Sequence, residues 1–164
     1  MAEAENKSAL TDEVLAGEAR GLIVAGSDTT ARTLTYLIWA TLKHPSVKQR
    51  LQDEVDRLPT GFSSKDATGL PYLMVTIKET LRLYGAAPGS LPRSVPFGGR
   101  TLGGYLLPQG TTVSTQAWTL HRDAAIFERP LDFIPERWFE PTQNMKDAFM
   151  PFGGGSRSKL HTLF

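Results

Sequence analysis

The sequence predicts a mainly α-helical chain with small β-sheets confined to its second half. Three observations carry this. Apolar residues recur at helical spacing through most of residues 11–84. Glycine, proline and serine take over at 85–99, where that spacing stops. Short runs of strand-forming residues separated by turn residues follow between 101 and 115. With 164 residues the chain is long enough for one domain and too short for two ordinary ones.

Residues 1–10 read as a loose leader. Thr11 is a helix N-cap, with Asp12 and Glu13 in the first turn, where the helix dipole favours negative charge. Val14, Leu15, Ala19, Leu22, Ile23, Leu34, Leu37 and Ile38 continue an apolar stripe until Lys43, His44 and Pro45 end it. That is a helix of about 33 residues, roughly 50 Å long. Its apolar stretch from Gly21 to Leu42 contains Asp28 and Arg32, so it reads as a buried helix of a soluble domain, not a bilayer span. Pro45 opens a second helix with Val47, Leu51, Val55 and Leu58 on one face, broken at Pro59-Thr60-Gly61. Pro71 opens a third, stopped by Gly85. Thr101-Leu102 and Tyr105-Leu106-Leu107, the turn Pro108-Gln109-Gly110, and Thr111–Thr115 read as short strands and a hairpin. A short helix is placed at Gln116–Leu120, and 124–151, rich in aromatics and prolines, as an irregular packed loop.

Composition narrows the function. Apolar residues make up 40% of the chain, which argues against disorder throughout. Eighteen Lys and Arg balance seventeen Asp and Glu, giving a net charge of +1 and no support for a nucleic-acid or polybasic membrane binder. There are no cysteines, which removes disulfides, thiolate catalysis and cysteine-ligated metal from the chain as written. The acidic, polar N-terminus lacks the basic start and apolar run of a signal peptide.

Three places break local rules. Ala25-Gly26-Ser27-Asp28-Thr29-Thr30 puts five poor helix formers inside the long helix; glycine alone costs about 1 kcal/mol there. Asp28 beside Thr29 pairs an acid with a hydroxyl, suited to relaying protons to a ligand over Gly26, or it is a tolerated polar break. Glu79 and Arg82 lie three apart on one helix; taken alone they read as a surface ion pair worth a few tenths of a kcal/mol. Phe152-Gly153-Gly154-Gly155-Ser156-Arg157-Ser158-Lys159 lets backbone approach a flat ligand or an anion, or is a flexible loop. It lacks the strand, Gly-Lys-Ser/Thr ending and helix of a phosphate loop. His44, His121 and His161 show no metal-ligand spacing.

In this order, these motifs resemble the cytochrome P-450 family of heme-thiolate monooxygenases. Ala25–Thr30 resembles the oxygen-activating motif of the family's long helix, and Glu79-x-x-Arg82 its E-x-x-R helix. Pro135-Glu136-Arg137-Trp138 is similar to the segment whose arginine completes a Glu/Arg/Arg cluster, and Phe152-x-x-Gly155-x-Arg157 to the start of the heme loop. Tyr84–Arg93 and Leu120–Asp123 also fit. The resemblance covers nearly all of 11–158 and corresponds to the C-terminal third of a family member, in the style of microsomal enzymes of fungal secondary metabolism.

The resemblance implies the C-terminal part of that fold: long central helix, E-x-x-R helix, β-hairpin and start of the heme loop. It implies heme as cofactor, a small hydrophobic substrate, dioxygen, and electrons from NADPH through a reductase, at the endoplasmic reticulum membrane. Glu79, Arg82 and Arg137 would form a buried charge network. Arg93 and Arg157 would bond the heme propionates, with Ala25, Gly26 and Gly155 against the cofactor and Phe152 beside the proximal ligand. Asp28 and Thr29 would help deliver protons to dioxygen. The family loop continues Arg-x-Cys-x-Gly, but here Lys159 occupies the cysteine position and His161 the glycine position. Protonated lysine has no lone pair for iron. The expectation is therefore a partial domain at 11–158 with a divergent tail at 159–164, poorly folding and inactive as given. A frame shift, retained intron or truncated gene accounts for the tail best; a truncated isoform acting as a binding module, or a His161-ligated heme binder, are the alternatives.

Overall fold

Thr11 begins the first described element by accepting the Val14 amide on its hydroxyl at 3.4 Å. The computed structural model describes residues 11–154. Helix α1, Asp12–Lys43, runs unbroken through the Gly26–Thr30 segment. Its hydroxyls turn back onto the helix: Ser27 donates to the Ile23 carbonyl, Thr29 to Ala25 at 2.7 Å, Thr33 to Thr29 at 2.9 Å and Thr35 to Ala31 at 2.8 Å. Each poor helix former thus meets its polar need within the helix, which survives the cluster.

The expected burial of α1 does not hold. Val14, Leu15, Leu22, Ile23, Val24, Leu34 and Ile38 are all exposed, and Ala40 is its one fully buried residue. The reason is geometric. The helix is apolar on more than one side, and only its C-terminal end packs, through Tyr36 stacked on Tyr84 at 5.1 Å and Trp39 edge-on to the same ring. No helix among the described residues is long and apolar enough to cross a membrane.

Helix α2, Pro45–Val55, buries Val47. A short α3, Ser64–Thr68, follows where no helix was expected, closed by a Ser63/Asp66 capping box. Helix α4 spans Pro71–Tyr84 between the expected proline and glycine. Glu54 of α2 caps it from outside, accepting the Tyr72 and Leu73 amides at 2.8 Å each. At its far end a Cβ on Gly85 would stand 2.7 Å from the Leu81 carbonyl, so the chain turns there only as glycine.

The sheets differ from the expected pairing. Strand β2, Arg100–Leu102, pairs antiparallel with β3, Tyr105–Leu107. Their turn is Gly103-Gly104, both at positive φ, the two-residue geometry that matches strand twist. Pro108-Gln109-Gly110 does not close a hairpin. It leads into β4, Thr112–Gln116, which pairs with β1, Ser90–Ser94, a strand absent from the sequence expectation. Pro92 hides β1 from propensity, but both strands of a two-stranded sheet are edges, where proline is allowed. Helix α5 is Ala117–Leu120. The stretch read as irregular contains a 3-10 turn, Pro135–Trp138, and helix α6, Gln143–Ala148, capped by Thr142. The core joins Ala40, Val47, Tyr72, Val75 and Leu83 to Phe127, Phe133, Trp138 and Met145.

Candidate functional site

Glu79 and Arg82, a surface pair on spacing alone but a buried network by the resemblance, are buried: neither side chain is exposed. Arg82 Nε and Nη2 form a fork on the two Glu79 oxygens at 2.9 and 2.8 Å. The remaining donors of Arg82 go to the carbonyls of His121, Pro130 and Asp132. Glu79 Oε1 also accepts Arg137 Nε at 3.1 Å and the Ile134 amide at 3.0 Å; Oε2 accepts the Trp138 indole at 2.8 Å. Arg137 donates onward to the Glu128 and Arg129 carbonyls. Arg82 therefore uses all five of its N–H donors, the condition under which a buried charge is tolerated. The loop supplying those carbonyls is turned by Arg129, at φ 48° the one non-glycine residue with positive φ among those described.

Across the molecule, α1 faces the segment Pro151–Gly153 over a cavity of about 320 Å³. Ala25 and Thr29 line one side. Leu81, Ala86, Ala87 and Leu91 line the end of α4 and the start of β1, and Phe152 and Gly153 close the opposite wall. A second cavity of about 360 Å³ shares Leu91 with it and continues along the β1–β4 sheet past Arg93, Met150 and Gly154. Arg93 donates to the Pro92 carbonyl at 2.8 Å, and its guanidinium is exposed.

The expected site residues thus separate. Ala25, Thr29 and Phe152 meet across the first cavity, and Arg93 stands at the second. Asp28 is exposed and is not among the residues lining either cavity, so the structure does not bring the acid beside its neighbour's hydroxyl at that surface. A Cβ added to Gly26 would meet open space. Gly153 has φ +82°, and a Cβ there would lie 3.1 Å from Leu91 Cδ1, so the loop passes β1 this closely only as glycine. Gly155, Arg157, Lys159 and His161 lie outside the described residues.

Heme is a flat apolar ring with two carboxylates, and the lining residues suit it in kind: mostly apolar side chains at the first cavity and the Arg93 guanidinium at the second. The iron donor is another matter, since the sequence contains no cysteine. Among the described residues no cluster of His, Asp or Glu is placed to hold a metal ion.

Two residues that the sequence places only within their motifs, with no role of their own, complete the arrangement. Trp138 holds Glu79; its signal lay in its place beside Arg137. His121 is buried, its Nδ1 3.0 Å from the Arg82 carbonyl and its Nε2 accepting the Met150 amide at 3.0 Å. Burial pushes its pKa down to about 4, opposed by its bond to the Arg82 carbonyl and aided by the charges of Arg82 and Arg122.

A buried Glu/Arg/Arg network behind an apolar slot, between a long helix and the Pro151–Gly153 turn, defines a part of the cytochrome P450 fold. The chain belongs to the cytochrome P450 family: residues 1–158 match the family model described as Cytochrome P450. It is 57% identical over 135 residues to "Cytochrome P450 monooxygenase orf2" of Aspergillus niger, covering 82% of this chain and 28% of that protein. It is 52% identical over 153 residues to "Cytochrome P450 monooxygenase tazI" of Aspergillus terreus, covering 93% of this chain and 31% of that one. A zebrafish cytochrome P450, solved with progesterone, superposes with a TM-score of 0.74 at 30% identity, over 94% of this chain and 36% of its own. The chain thus spans about a third of the length of the relatives it matches. The family's cofactor is heme.

Proposed function

We propose that the slot between α1 and Pro151–Gly153 receives heme, and that the function this chain serves is heme- and NADPH-dependent monooxygenation of a small hydrophobic organic molecule. The observation that carries this is the apolar cavity with Thr29 on one wall, Phe152 and Gly153 on the other, and Arg93 at its continuation. When bound, heme supplies the redox-active iron at which dioxygen is activated.

The residues here take named parts. Arg93, with Arg157, pairs with the propionates, where a guanidinium fork suits a carboxylate. Ala25 and Gly26 leave room for the ring, and Leu81, Ala86, Ala87 and Leu91 keep water from it. Thr29 lines the cavity with its hydroxyl donating to the Ala25 carbonyl, and in this reading holds or passes a proton there. Asp28 delivers protons from the solvent side. Glu79, Arg82 and Arg137 hold the loop behind the slot. The electron donor is an NADPH-dependent reductase, at the endoplasmic reticulum membrane.

Lys159 occupies the cysteine position, so the chain as written brings no thiolate to the iron. We propose that it is catalytically silent for this reason and that replacing the missing ligand restores heme-thiolate character. The test is a hemin titration of the full chain, followed by the Soret band and tryptophan fluorescence. The expected result is uptake weakened by Arg93→Ala, unchanged in His161→Ala, and thiolate-type only in Lys159→Cys. Absence of uptake in both the unaltered chain and Lys159→Cys overturns the heme reading.

A further inference from the structure

The Met150 backbone amide can only donate, so His121 Nε2 must be its acceptor, across 3.0 Å. The proton of the neutral ring then sits on Nδ1, which donates to the Arg82 carbonyl at 3.0 Å. Arg82 answers with a bond from its own Nη1 to the His121 carbonyl. The ring is wedged between Phe127, at 6.4 Å, and Phe149, stacked at 5.5 Å, and the residue is 1% exposed. It therefore has one orientation and one tautomer. On the other side of Met150, its carbonyl accepts the Gly153 amide at 3.1 Å, which closes the turn that carries Phe152 and Gly153 to the cavity wall. A continuous chain of hydrogen bonds runs from Glu79 through Arg82 and His121 to this turn.

We propose that His121 is a positioning residue for the heme loop: its imidazole ties the loop's entrance at Met150 to the buried Glu79–Arg82 network, and so sets where Phe152 and Gly153 stand against the slot. The inference rests on reading that slot as the heme site. It touches no cofactor and acts only through the backbone it holds.

Two substitutions separate its two bonds. In His121→Asn the amide nitrogen falls near the Nδ1 position, so the bond to Arg82 is kept and the acceptor for Met150 is lost. In His121→Gln the amide oxygen reaches the Nε2 position and keeps Met150. Amide hydrogen exchange of the full chain, without heme, reads the difference. Expected is exchange at Met150 about tenfold faster in His121→Asn, the loss of one hydrogen bond, near-original exchange in His121→Gln, and unchanged α4 amides in both. Unchanged exchange at Met150 in His121→Asn overturns the proposal. So does acceleration of the α4 amides together with Met150, which marks His121 as a core residue only, or a failure of glutamine to rescue. Hemin added afterwards should give a broadened or shifted Soret band in His121→Asn alone. Because the exchange is measured without heme, a chain that takes up no hemin sinks the heme reading and leaves this one standing.

Discussion

The first half of α1 and the pocket around Glu79 are opposite solutions to the same problem. Leu22 and Ile23 stand 73% and 67% exposed on a helix that runs unbroken from Asp12 to Lys43. Glu79 and Arg82 are fully buried charges whose polar groups are met by one another and by residues far along the chain. One region is satisfied in its polar groups and unsatisfied in its apolar ones. The other does the reverse of what hydropathy recommends and is closed on itself. The lesson is that local completeness, not hydrophobicity, marks the part of this chain that is structurally self-sufficient. The residues facing the cavity, Ala25 and Thr29, belong to the uncovered region; what holds the loop opposite them belongs to the closed one.

The largest expected effect breaks the closed region. Glu79→Ala leaves two guanidinium groups with their anion removed, which costs about 3–5 kcal/mol. That is a large share of the stability of an ordinary domain. Urea unfolding followed by far-UV circular dichroism should lose its cooperative transition or shift its midpoint sharply down. A midpoint equal to that of the original chain would show that the network is not what closes this region.

A second test uses acidity. The unfolded ring of His121 takes up its proton near pH 6.5, the folded one near 4, because burial disfavours the charged form. Between those values only the unfolded state binds the proton. The contribution is therefore intact above pH 6.5, falls as pH drops towards 4, and changes no further below that. The full loss is on the order of 3 kcal/mol. Unfolding measured at pH 7.5 and pH 5 should show about 2 kcal/mol of it, and His121→Gln should flatten that slope.

Trp138→Phe sharpens the comparison further. It keeps most of the buried ring and removes one donor to Glu79, which costs about 2 kcal/mol for a bond to a charged group. Near-ultraviolet circular dichroism and urea midpoints report it. An effect of a few tenths would mean that the carboxylate is held by the arginines alone.

How much of this was legible in the sequence follows the same division. Helix α4 was bracketed correctly because Pro71 and Gly85 act locally, through φ and through the missing Cβ. The i, i+3 spacing of Glu79 and Arg82 announced a pair but not its burial. Burial depends on carbonyls from Pro130 and Asp132, some fifty residues away, in a loop turned by Arg129 with no glycine to signal it. Strand β1 was hidden by Pro92, and α3 and α6 by their shortness, although Ser63 and Thr142 cap them. The long helix shows the opposite: its apolar stripe predicts burial, and Leu22, Ile23, Leu34 and Ile38 are exposed. His121 has no metal-ligand spacing in the sequence, and its place in Leu120–Asp123 does not announce that its ring bonds the Arg82 carbonyl and the Met150 amide.

The smallest effect is the one that best separates stability from function. Gly26 sits in a helix interior where an added Cβ meets open space, so Gly26→Ala should stabilise the chain by up to about 1 kcal/mol through helix propensity alone. If a heme ring passes over that point, the same methyl should weaken hemin uptake while the urea midpoint rises. The two readouts then move in opposite directions, which no general loss of folding produces. Uptake that improves together with stability would place the ring elsewhere along the cavity, and the glycine would be a tolerated break in an exposed helix.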